Sequence, residues 1–113
     1  MKVSELIEKL SLNSFSLPLP EREIRSAYVG DLLSWVMGKA REDCVWVTIM
    51  SNVNVLAVAS LADVACVILA EGVTPAEELI SAAETKGINL LSSEKDSYSV
   101  CAALAECGIK GLS

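Results

Sequence analysis

CVWVTIMSNVNVLAVASLADVACVILA, residues 44–70, is the stretch on which the fold turns. Cys44 to Met50 is a short apolar run rich in β-branched residues, the mark of a strand buried on both faces. Val64 to Ala70 repeats the pattern. Between them Ser51, Asn52 and Asn54 break the apolar run, and Val55, Leu56, Val58, Ala59 and Leu61 follow with helical spacing, with Asn52 or Asn54 as the helix cap. Strand, capped helix, strand is the βαβ unit of a parallel sheet. Asp63 is the only charge in these residues, and the span is long enough for a bilayer. The polar break in its middle argues against a membrane helix.

Downstream the alternation continues. Thr74-Pro75-Ala76-Glu77 reads as a helix start, with Thr74 as N-cap, Pro75 at the first position and Glu77 closing a capping box. Gly87 suits the end of that helix. Ile88 to Leu91 reads as a third buried strand, and Ser93 as the cap of a last helix running to about Cys107. Upstream, Val3, Leu6, Ile7 and Leu10 form an amphipathic helical stripe. A short strand is expected around Phe15, held to an edge by Pro18 and Pro20, and another over Ile24 to Val29. Asp31 then opens a helix to about Lys39 with Leu32, Leu33, Val36, Met37 and Ala40 on one face. The predicted fold class is α/β, with a layered, mainly parallel sheet and β-α-β-α-β-α order from residue 44 onward. Residues 1–113 read as one domain.

Composition narrows the function. The chain carries 9 basic and 15 acidic residues, a net charge of −6. No basic stripe is present, which argues against nucleic acid and against anionic membranes. There is no histidine, and the four cysteines lack the close pairing of a metal site; no metal and no cofactor are expected. Cys44 and Cys66 read as buried free thiols. Glu5 and Glu8 interrupt the first apolar stretch, so it is no signal peptide, and a cytoplasmic location follows. A catalytic reading needs an activated nucleophile, a positioned base or a metal. None is visible, and Gly108 to Gly111 is too short for a phosphate loop.

Parallel sheets bind ligands at the C-terminal ends of their strands. The predicted rim therefore holds Ser51, Asn52, Asn54, Glu71, Gly72, Thr74, Ser92 and Ser93. Capping accounts fully for Asn54, Thr74 and Ser93, which leaves Ser51, Asn52 and Glu71 as the stronger site residues. Trp35, placed between the apolar positions of its helix, is an expected surface aromatic. With Tyr28 it is the predicted contact of a homodimer.

The rhythm from Val47 to Val100, with its Pro-capped helix, "GINLLS" strand and following "DSY", resembles the DRTGG-domain family. The likeness covers roughly residues 44–109 and extends upstream over SAYVGDLLSWVMGKA. The family is similar to the N-terminal domain of HPr kinase/phosphorylase and, more distantly, of Mur ligases. The resemblance implies an accessory, regulatory or ligand-sensing module, for a nucleotide or phosphorylated metabolite, or an interaction subunit with a hydrogenase- or kinase-linked partner. Where the family places Asp-Arg this chain has Ser51-Asn52, and where it places Thr-Gly-Gly it has Ala70-Glu71-Gly72. The arginine suited to bidentate phosphate capture is thus gone, and Glu71 adds a negative charge.

Overall fold

The computed structural model describes residues 1–112. Cys44–Thr48 (β3) and Cys66–Leu69 (β4) are buried at every position, as their almost continuous apolar character requires. Asn54–Ala62 (α3) joins them, and the two strands pair in parallel with Val45 opposite Cys66 and Thr48 opposite Leu69. On β4's other side lies Leu90–Ser92 (β5), also parallel and reached through the helix Glu77–Lys86 (α4). Ser26–Val29 (β2) flanks β3, parallel again, with Leu33–Lys39 (α2) as its crossover. Asn13–Ser16 (β1) closes the far side antiparallel to β5, bulged between Ser14 and Ser16. The sheet order is β1-β5-β4-β3-β2. The expected mainly parallel α/β sheet is what the chain forms, with the parallel series starting one strand earlier, at β2.

Period-two alternation divides the strand side chains between two cores. Val45, Val47, Cys66, Ile68 and Leu91 face Val3–Leu10 (α1) and Ser97–Glu106 (α5), packing on Val3, Leu6, Val100 and Leu104. Cys44, Trp46, Val67, Leu69 and Leu90 face the other way, against Val36 of α2, Val55 and Leu56 of α3, and Leu79 and Ala83 of α4. Both expected buried thiols, Cys44 and Cys66, are free and buried, and burial pushes the Cys66 thiol far up from its usual pKa. No described helix is long and apolar enough to cross a membrane.

The end of the sheet where the strands begin is tied by polar contacts. Arg22 is held between Asp43 (Nε to Oδ1, 3.0 Å) and Asp63 (Nη2 to Oδ1, 2.8 Å) and also donates to the Asp63 carbonyl. Asn89, fully buried, donates to the carbonyls of Leu19 and Ala65 and accepts from the Leu19 amide. It thereby pins the proline segment after β1 to the lead-in of β4.

Several helix starts differ from the sequence reading. α2 begins at Leu33 with no side-chain cap; the Asp31 carboxylate instead accepts from Thr48 Oγ1 and the Ile49 amide, at 2.8 and 3.0 Å. Of the expected apolar face of α2 only Val36 is fully buried, while Leu32 and Met37 are exposed. α4 begins at Glu77 with Ala76 in the cap position and no side-chain cap, so Thr74 caps nothing. Pro75 accounts for this: it disfavours helical geometry at Thr74 and is itself buried in the connecting loop. The cap of α5 is Asp96, accepting from the Ser99 amide at 2.7 Å, rather than Ser93.

Candidate functional site

Because β2, β3, β4 and β5 run in parallel as neighbours, their C-terminal ends emerge side by side. The loops that follow form one row: Gly30–Leu32, Ile49–Val53, Ala70–Ala76 and Ser93–Asp96. Ser51, Asn52, Asn54, Glu71, Gly72 and Thr74 all lie in this row or at its helix starts. Asn52 Oδ1 accepts from the Asn54 amide at 2.9 Å, an Asx turn that enters α3. Asn52 rather than Asn54 thus performs the turn, and Val53 occupies the formal cap position without a side-chain bond. Ser51 is half-buried and Asn52 and Asn54 are exposed. Among the described residues the amides of Ser51, Asn52 and Val53 have no acceptor.

The next two loops are laced together. Glu71 sits in the left-handed region at φ 63° and donates its amide to the Lys95 carbonyl at 2.8 Å. Its carboxylate accepts from the Ser97 amide at 3.0 Å, at the start of α5. The Gly72 amide donates to the Ser93 carbonyl at 3.0 Å. A Cβ on Gly72, itself at φ 68°, would stand 2.8 Å from Glu94 Oε2, so the Glu94 side chain lies directly over this glycine. Ser92 and Ser93, expected on the rim, are both buried. Ser92 Oγ accepts weakly from Asn13 Nδ2 at 3.4 Å, and Ser93 Oγ accepts from the Lys95 amide at 3.1 Å. Their hydroxyls serve the loop and the β1 edge, and neither offers itself to a ligand.

Sequence reasoning missed Asp31 and the carboxylates of Glu94 and Asp96. Asp31 follows Gly30 directly at a strand end, a position that could have flagged it as a rim residue as well as a cap. The Asp96 carboxyl lies below its usual range because the Ser99 amide donates to it. Four carboxylates thus edge this row, three of them, Asp31, Glu71 and Asp96, already accepting from backbone amides. Apolar side chains accompany them: Leu32, Ile49 and Val53 are exposed, and the Asp31–Ile49 bond places the first two together. Trp35, one turn after Leu32, is 61% exposed, as its sequence position predicted, with Lys39 Nζ 5.3 Å from its ring centre. Tyr28 is half-buried, packed against Gly30 and the α2–α4 core.

A domain model of the DRTGG family matches residues 21–107. The chain belongs to the DRTGG-domain family. Among solved structures, the regulatory region of Clostridium perfringens pyrophosphatase, comprising CBS and DRTGG domains and complexed with the activator diadenosine tetraphosphate, has the same fold, with a TM-score of 0.65 at 15% identity. The match covers 91% of this chain but 45% of that one, so this DRTGG chain spans under half of its structural neighbour. No curated protein matches it in sequence.

Proposed function

We propose that this chain is a non-catalytic regulatory module that senses a small ligand on the row of loops at the C-terminal end of its sheet. The observation that carries the reading is the free run of amides at Ser51–Val53, set on a rim that four parallel strands build. Backbone amides at a helix start are natural partners for a polar or anionic group. Membership of a family found in a regulatory region supports the regulatory role. The rim's acids argue against general acid–base work, since Asp31 and Glu71 are each committed to an amide. Glu71, Glu94 and Asp96 repel anions, so a nucleotide or phosphorylated metabolite would have to place its phosphate at the Ser51–Val53 end. The free state of all four thiols supports a reducing, cytoplasmic setting.

A thermal-shift screen of nucleotides and phosphorylated metabolites tests this. A ligand that raises the melting midpoint of the wild type and not of Asn52→Ala supports it. A screen without any shift, or a shift that Asn52→Ala leaves intact, overturns it.

A second reading, an interaction subunit acting as a homodimer, is favoured by Trp35. Large aromatics this exposed beside Leu32 and Met37 are what protein contacts bury. Trp35→Glu then leaves a monomer in light scattering, and an unchanged mass counts against the dimer.

A further inference from the structure

We propose that the outer edge of β2 is a strand-addition site for an extended, acidic segment of another protein. This inference is independent of the ligand reading and concerns a different face.

β2 is the last strand of the sheet, its outer side bordered in part by the chain's own residues Ile109–Leu112. Gly30 donates its amide inward, to Val47, whereas Ala27 donates outward, to the Lys110 carbonyl at 2.9 Å. Strand alternation therefore turns the amide of Val29 outward as well, and the Val29 side chain is half exposed. The Ala27–Lys110 bond shows that the outer amides of this edge can donate to a passing backbone. A groove of about 660 Å³ runs between β2 and the end of α2, lined by Tyr28, Val29, Lys39, Arg41, Gly111 and Leu112. A smaller, apolar one of about 200 Å³ lies on the other side of the edge, against Cys101 and Leu104 of α5. An incoming strand would thus find a backbone donor flanked by a wider groove of mixed character, with Lys39 and Arg41 on its wall, and a narrower apolar one, the asymmetry that a strand with alternating side chains fits.

Charge names the partner. Arg25, Lys39, Arg41 and Lys110 border this edge, four of the nine basic residues in a chain of net charge −6. Among the described residues Arg41 has no carboxylate within ion-pair distance. Arg25 is 74% exposed and shares Asp43 with Arg22. Two acids stand on this side, Glu42 in the groove lining and Asp43 paired with Arg25, against four cations. A second copy of this chain is the disfavoured occupant, because pairing β2 with β2 would bring two such basic edges together. A segment bearing Glu or Asp at alternate positions meets these cations while its backbone pairs with Val29.

The test is selection of random twelve-residue peptides displayed on phage against the immobilised full chain. The strongest is then remade with a fluorescent label and titrated by anisotropy. Enrichment of peptides with alternating Glu or Asp is expected, with affinity lost at least tenfold in Arg25→Glu/Arg41→Glu and falling with added salt. Val29→Pro removes the outward donor without costing a β2–β3 bond and should abolish binding, with circular dichroism confirming the fold. Absence of enrichment, enriched peptides lacking acids, or binding unchanged in both variants overturns the proposal. So does a dimeric wild type that either variant converts to a monomer, since β2 would then hold a second copy.

Discussion

The carboxylate of Glu71 accepts the backbone amide of Ser97 across 3.0 Å, so a residue leaving β4 caps the helix that follows β5. Glu71→Ala should therefore cost about 1 kcal/mol of stability, the worth of a lost helix-start acceptor. Glu71→Gln, which keeps an acceptor oxygen, should recover most of it. Urea denaturation of the three proteins distinguishes this from a purely electrostatic role, in which Gln would behave as Ala.

Arg22 is the second junction. Its side chain and that of Asp43 are each less than one-fifth exposed, whereas Asp63 is open to water. Arg22→Ala leaves Asp43 with only the more distant Arg25, and we expect a loss of about 2–3 kcal/mol, less than for a fully buried pair. Arg22→Lys should fail to restore it, because a single ammonium cannot serve Asp43, the Asp63 carboxylate and the Asp63 carbonyl together.

Asn89 makes three hydrogen bonds from a fully buried position. Asn89→Ala removes the side-chain partners of the Ala65 carbonyl and the Leu19 amide, while the Leu19 carbonyl keeps the Arg22 amide, and should cost about 2–4 kcal/mol. Asn89→Leu, although apolar and larger, should not rescue it, which calorimetry can check.

The Asp96 cap carries a pH signature. Its folded pKa is depressed by the Ser99 amide, so its stabilisation is full above the unfolded Asp value of about 4 and disappears as pH falls through the lower folded value. Asp96→Ala should melt earlier than wild type at pH 7, and the two midpoints should converge as the medium is acidified below pH 4. A gap that stays constant with pH would refute the charged-cap account.

Ser11 ends α1 in the left-handed region at φ 53°, where a Cβ is strained. Ser11→Gly should raise stability by roughly 0.5–1 kcal/mol, the residual gain after glycine's entropy in the unfolded chain. Chemical denaturation measures it directly.

The strands were legible because burial on both faces leaves a continuous apolar run, broken in CVWVT and CVIL only by the terminal Thr48. Their parallel order followed from the alternation with helices. Helix starts were less legible, since a capping signal is local while the bond it makes depends on what arrives from elsewhere. Asp31 reads as a cap, yet Thr48 and the Ile49 amide lie beside it on the next strand. Thr74 reads as a cap, yet Pro75 is drawn into the core and the helix waits two residues. Ser92 and Ser93, expected on the exposed rim, are buried, because Ser92 still belongs to β5 and pairs there with Asn13 of β1. Trp35 is exposed as expected, but Leu32 and Met37, which the same helical phase assigned to the apolar face, are exposed too, because α2 buries only Val36. Glu71 stood out as a residue without a capping duty in its own helix; its duty in another helix has no trace in local sequence.

The lacing of the Glu71–Gly72 turn to Ser93, Lys95 and Ser97 leaves the rim with unequal parts. Two of its loops share their hydrogen bonds and must be altered together, whereas Ser51–Val53 closes only upon itself through Asn52. That short segment is therefore the replaceable cassette of the fold. A foreign sequence grafted between Met50 and Asn54 would leave the sheet and the bonds between the other two loops as they are.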